Sequence, residues 1–100
     1  MRWNVGRIEV MPEVRLPTVL RNSAGGQASV HANGSTLGEI LEDLVRQFPL
    51  LAGQLVNDDG TMHKFVNVYR NDEDVRYLEK LDTKVSGDDV ISILPAVAGG

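Results

Sequence analysis

The sequence contains no cysteine. That excludes disulfides, thiolate metal sites and cysteine nucleophiles. No apolar run approaches the ~18 residues of a membrane span. Residues 1–10 lack the apolar core of a secretion signal, so the expected setting is the cytoplasm. Basic charge is short: 10 Lys and Arg against 14 Asp and Glu leave a net charge of −4. Nucleic-acid binding needs a clustered basic face. Arg2, Arg7, Arg15 and Arg21 come nearest to one and read as ordinary solvated charge. There is no G-x-S-x-G, no phosphate loop and no pocket-forming pair of acids. Gly25-Gly26 reads as a turn, not a phosphate cradle. His31 and His63 stand far apart with no acid at ligand spacing. The polar run Asn71-Asp72-Glu73-Asp74 lacks the spacing of a calcium loop and reads as a solvated turn. No bound metal or cofactor is expected.

What is present suits one small domain. An apolar content of 42% is enough for a single core. Residues 1–10 read as an N-terminal extension, because Met11-Pro12-Glu13 resembles a natural start. Trp3, Val5, Ile8 and Val10 make that extension apolar enough to pack on something. Residues 11–100 form the domain.

Within it, Glu13–Leu20 alternates like a first strand, and Pro17 places that strand at an edge or a bulge. Ala24-Gly25-Gly26 turns the chain into a second strand over Gln27–His31. Thr36 offers an N-cap, and Glu39 closes a capping box. Leu37, Ile40, Leu41, Leu44, Val45 and Phe48 then form one apolar stripe of a helix that Pro49 ends. Leu51 and Leu55 are candidates to complete the core. His63–Arg70 reads as a strand, with Phe65, Asn67 and Tyr69 on one face and Val66, Val68 and Arg70 on the other. A short strand over Val75–Tyr77 and a last one over Val90–Leu94 follow. The last is nearly continuous apolar, which predicts a central strand covered on both faces. The sum is an α+β domain, one main helix on a mixed four- to five-stranded sheet. The first and last strands can pair in parallel at its middle.

After that strand come Pro95-Ala96-Val97-Ala98 and the pair Gly99-Gly100. Glycine has no Cβ, so such a tail enters spaces closed to other residues. A terminal carboxylate on this thin leash can be activated inside an enzyme while the folded body stays outside.

These features resemble the small sulfur carrier proteins of the ThiS/MoaD family. The motifs are Thr36-Leu37-Gly38-Glu39-Ile40-Leu41, Phe65-Val66-Asn67-Val68-Tyr69, Asn71-Asp72-Glu73-Asp74-Val75-Arg76, and Gly87-Asp88-Asp89-Val90 before the glycine pair. The likeness covers residues 11–100. Asn71–Arg76 and Ile93–Gly100 are most similar to the branch that serves thiocarboxylate-dependent cysteine biosynthesis. The resemblance implies a β-grasp, ubiquitin-like fold. It implies a protein co-substrate rather than an enzyme, with Gly100 and Gly99 as the adenylation and thiocarboxylate site and Pro95–Ala98 as a partner-binding tail. It implies an E1-like adenylating enzyme that uses ATP, a cysteine synthase-type acceptor and a metal-dependent peptidase as partners. Phe65, Val66 and Val68 are the expected partner surface. Sulfur transfer to molybdopterin or thiamin thiazole, a ubiquitin-like modifier and a passive binding module are the alternatives.

Overall fold

The structure is a computed structural model, and it describes residues 11–57, 59 and 61–96. The expected extension, residues 1–10, and the tail residues Val97, Ala98, Gly99 and Gly100 lie outside the described residues.

Five strands form one sheet in the order β2-β1-β5-β3-β4. They are β1 (Glu13–Arg15), β2 (Ser29–His31), β3 (Val66–Arg70), β4 (Glu73–Asp74) and β5 (Val90–Pro95). β1 and β5 run parallel, with Val14 beside Ile91, while β1–β2, β3–β5 and β3–β4 are antiparallel. The main helix α2 (Leu37–Gln47) presents Leu37, Ile40, Leu41 and Leu44, all buried, to one sheet face. Burying each such side chain contributes about 1.5–3 kcal/mol. Val14, Val30, Val68, Ile91 and Ile93 face it from the strands, and Leu51 and Leu55 close the core. One helix across a mixed sheet whose first and last strands pair in parallel is the β-grasp arrangement.

The start of α2 follows its sequence signals. The Glu39 amide donates to Thr36 Oγ1 at 3.3 Å. The Glu39 carboxylate accepts from Ser35, one residue ahead of the cap, at 2.7 Å. Gly34 lies so close to this turn that a Cβ there would meet Glu39 Cβ at 2.7 Å and Ile40 N at 2.8 Å.

Four expectations need correction. The first strand stops at Arg15, and a short helix α1 (Thr18–Arg21) follows, with Pro17 as its N-cap. Pro17 therefore marks neither an edge nor a bulge, and β1 is an inner strand. Leu16, Leu20 and Ala24 are buried four residues apart, which is a helical period, so the apparent alternation was misleading. Val75–Tyr77 is a 3-10 turn that Asp74 caps, and the short strand lies just before it as β4. His63–Phe65 precedes β3 rather than opening it. Finally, β5 is central, as expected, but covered on one face only. Ile91 and Ile93 are buried, whereas Leu94 is exposed.

Candidate functional site

β5 delivers the tail at the end of the sheet where β3 begins. Pro95 pairs with Val66 at that end, and the Ala96 amide donates to the Phe65 carbonyl at 2.8 Å. Pro95 has no N–H to give, so it suits the last position of a strand. Two of the expected tail residues, Pro95 and Ala96, are thus tied to the sheet.

Two hollows flank this root. One, of about 500 Å³, runs between the start of α1 and the end of β5, lined by Arg15, Pro17, Val19, Arg21, Leu94 and Pro95 among others. The other, of about 220 Å³, lies between α1 and the start of β3, lined by Val19, Gln54, His63, Phe65, Val66 and Pro95 among others. The apolar side chains among them include three that are bare: Val19 is 73% exposed, Phe65 53% and Leu94 46%. A further hollow of about 340 Å³, lined by Gly38, Leu41, Val45, Val56 and Leu81 among others, includes no residue of the root.

The expected partner surface divides. Phe65 stands at the root, its ring 5.2 Å from that of His63 and 5.3 Å from Lys64 Nζ. Val66 is half-buried and lines the smaller hollow. Val68 is 2% exposed and belongs to the core, so it presents nothing to a partner. The strand period read from the sequence holds, with Val66 and Val68 on the face opposite Phe65; the correction is that this face is the one the core covers, so a single partner surface cannot hold all three. Val19 and Leu94 were not singled out in the sequence. Leu94 was legible, since the neighbour of buried Ile93 must face the other way.

The Asn71–Arg76 motif serves the scaffold. Asn71 adopts a positive φ of 57°. It takes the Val90 amide on its side-chain oxygen at 3.0 Å, donates to Asp89 at 3.1 Å, and its own amide donates to the Val90 carbonyl at 2.7 Å. These three bonds fix the β3–β4 turn to the start of β5. Asp74 accepts from the Arg76 guanidinium at 2.7 Å, and that contact holds its carboxyl below the ordinary range. Asp89 is lowered mainly by the Ser86 amide, and Asp43 mainly by the Asn33 amide. All three are capping and turn contacts, and none of the three lines the two hollows at the tail root. Among the described residues, no three His, Asp or Glu side chains converge as metal ligands do.

Architecture and tail root define a β-grasp protein that carries a strand-anchored extension between two apolar hollows. Comparison places it more narrowly. The ThiS family profile matches residues 14–100. The chain is 46% identical over 89 residues to "Sulfur carrier protein CysO" of Mycobacterium tuberculosis, covering 87% of this chain and 96% of that protein. It superposes with a TM-score of 0.80 and 44% identity on a chain of the Amycolatopsis orientalis BexX/CysO complex, covering 88% of this chain and 98% of that one. "Small archaeal modifier protein 3" of Haloferax volcanii is 35% identical over 78 residues, covering 75% of this chain and 84% of that protein. The chain belongs to the ThiS family.

Proposed function

We propose that this protein is a sulfur carrier for cysteine biosynthesis, a co-substrate of its partner enzymes rather than an enzyme. The observation that carries the reading is the 46% identity to a sulfur carrier across 87% of the chain. The family match runs through Gly99 and Gly100. The geometry supports it, because the sheet holds the tail root and leaves its rim bare.

The chemistry follows from the carboxylate. An α-carboxyl has a pKa of about 3.3–3.7 and is ionised at neutral pH, which makes it a poor acyl electrophile. ATP repairs this in an E1-like partner: the Gly100 carboxylate displaces pyrophosphate to give an acyl-adenylate. Sulfide then displaces AMP and leaves a thiocarboxylate directly; a persulfide donor displaces AMP to give an acyl disulfide, which a second thiol must cleave to leave the thiocarboxylate and a disulfide. In the acceptor enzyme the thiocarboxylate sulfur adds to an aminoacrylate. An S-to-N acyl shift leaves cysteine amide-linked to Gly100, and a metal-dependent peptidase hydrolyses that amide. In this reading the carrier holds no cofactor of its own, and the ATP is used by the activating partner. Because Ala96 is tied to Phe65, the leash is the four residues beyond it. They span at most about 14 Å, shorter than the roughly 20 Å of the whole Pro95–Gly100 segment. The partner must therefore approach the root closely.

The similarity to an archaeal modifier favours a second reading, in which Gly100 is joined to a protein amine. Both readings begin with adenylation. Intact-mass spectrometry of the protein from its own cells separates them. One oxygen replaced by sulfur, or a cysteine adduct, is the expected result. Conjugates to other proteins without either species would favour the modifier. Unmodified protein after incubation with ATP, sulfide and extract would overturn both.

A further inference from the structure

We propose that Asn33-Gly34 is a modification site, at which the asparagine loses ammonia spontaneously through a succinimide and the isoaspartyl product loosens the start of α2. This goes beyond the carrier reading and does not depend on it.

The sequence supplies the reactive pair. The chain has six asparagines, at 4, 22, 33, 57, 67 and 71, and Asn33 alone precedes a glycine. Glycine has no Cβ to shield its nitrogen from the side chain before it. The structure leaves the pair open. Asn33 is exposed, and neither residue belongs to a helix or a strand. The Asn33 N–H donates to Asp43 Oδ2 at 3.0 Å, which holds the chain on the side away from the reacting atoms. Among the described residues, the Asn33 side-chain amide and the Gly34 N–H have no hydrogen-bond partner. The other described asparagines are held. Asn71 is bonded to Val90 and Asp89, and Asn57 donates to Thr61 Oγ1 at 3.0 Å. Asn67 lies within β3 and Asn22 in a 3-10 turn.

The step needs no enzyme, because attack within one chain gains from proximity. The Gly34 nitrogen gives its proton to a solvent base and attacks Asn33 Cγ. The N–Cγ bond forms, the Cγ–Nδ2 bond breaks, and Nδ2 leaves as ammonia. Water then opens the succinimide ring at either carbonyl. Opening at Cγ leaves aspartate; opening at the backbone carbonyl leaves isoaspartate, whose main chain runs through Cβ and Cγ. The sum exchanges ammonia for water, with no oxidant or reductant.

Both products place a new carboxylate beside Asp43, whose oxygen already faces residue 33. Isoaspartate also inserts one backbone bond, about 1.5 Å, ahead of Gly34. That glycine has little slack, since even a Cβ on it would meet Glu39 Cβ at 2.7 Å and Ile40 N at 2.8 Å. The added length falls on the turn that holds the Ser35 N–H to the Glu39 carboxylate at 2.7 Å and the Glu39 N–H to Thr36 Oγ1 at 3.3 Å. Losing these caps weakens α2. Neither hollow at the tail root is lined by residue 33 or 34. An aged chain therefore changes in stability and not in the surroundings of its tail.

The full chain is incubated in warm, mildly alkaline buffer and sampled by intact mass and by peptide mapping with electron-transfer fragmentation, which distinguishes isoaspartate from aspartate. A gain of about 1 Da is expected, confined to the peptide that holds Asn33, with isoaspartate as the main product and a rate that rises with pH. The rate should lie within about tenfold of that in urea, because an exposed turn opens at little cost. Asn33→Gln keeps the backbone N–H to Asp43 and leaves Gly34 in place, and should slow the gain by about tenfold or more. No gain, an equal gain at another asparagine, an unchanged rate in Asn33→Gln, or protection beyond tenfold relative to urea would overturn the site. The purified isoaspartyl form should melt below both the fresh chain and Asn33→Asp. Melting together with them would overturn the effect on α2.

Discussion

Val68 and Phe65 lie three residues apart on one run of chain, and truncating each should give opposite results. Val68 is 2% exposed and packs in the sheet face under α2, paired with Ile93. Val68→Ala removes the equivalent of two methylenes, about 1.6 kcal/mol of transfer free energy. The cavity left under α2 raises the cost to about 2–3 kcal/mol. Phe65 is 53% exposed and touches chiefly His63 and Lys64. Phe65→Ala should cost less than about 1 kcal/mol. Urea titration followed by far-UV circular dichroism reads the difference. With a slope near 1.5 kcal/mol/M, the midpoint should fall by roughly 1.3–2 M for Val68→Ala and by less than about 0.7 M for Phe65→Ala. Sulfur loading, timed by intact mass well below the melting temperature, should reverse the order. Phe65→Ala should load several-fold more slowly, while Val68→Ala keeps the normal rate. Equal midpoint shifts would refute the assignment of the two side chains to fold and face. So would normal loading by Phe65→Ala beside a crippled Val68→Ala.

Three further outcomes are expected. Gly34→Ala forces a Cβ to within 2.7–2.9 Å of Glu39 and Ile40 atoms, and overpacking of this kind costs about 1–3 kcal/mol. Gly53→Ala, with φ 82° but open space around it, should cost about 1–2 kcal/mol from backbone strain alone, so thermal melts should rank Gly34→Ala at or below it. Gly99→Val should leave the melting temperature unchanged and abolish loading; loading at the normal rate would exclude a narrow tunnel for the tail. Asp43, Asp74 and Asp89 all titrate below the ordinary 3.8 in the folded chain. On acidification the unfolded chain therefore takes up protons first, so their contribution is full above about pH 5 and is lost as pH falls through 3.8 and the lowered folded values. Asp89→Asn should flatten that acid limb, and an unchanged limb in urea titrations from pH 5 to 2.5 would contradict the assigned contacts.

Legibility in the sequence followed the number of independent signals at each element. α2 was readable because the apolar stripe, the Thr36–Glu39 cap and Pro49 all specify the same helix, and no tertiary contact overrides them. The α1 region failed because Leu16 and Leu20 satisfy both a period of two and a period of four. The strand partner decides between them: β2 has only three residues to pair with β1. β5 was placed correctly in the middle of the sheet, but its apolar run was taken as a sign of two covered faces. One face is bare, and the apolar residue it shows, Leu94, stands at the tail root. The structural part of the Asn71–Arg76 motif was hidden for another reason. A polar turn with a side chain bonded to a strand nineteen residues away looks, in sequence, like any solvated turn.

The placement of β5 explains how a carrier can be handled by its tail without losing its fold. β5 is held on one side by β1 through three paired positions and on the other by β3 through five. Force or binding at the tail therefore acts along a strand bonded on both edges, and the next bond to yield is the single one from Ala96 to Phe65. Breaking it costs about 0.5–1.5 kcal/mol and lengthens the leash by one residue, about 3.4 Å. Pro95 cannot extend the ladder to replace it. That bond also joins the tail root to the start of β3, because its acceptor is the backbone of Phe65, whose ring is exposed beside His63. Drawing Ala96 off the sheet therefore frees the Phe65 carbonyl, and the amide proton of Ala96 should be the first of this edge to lose protection from hydrogen exchange.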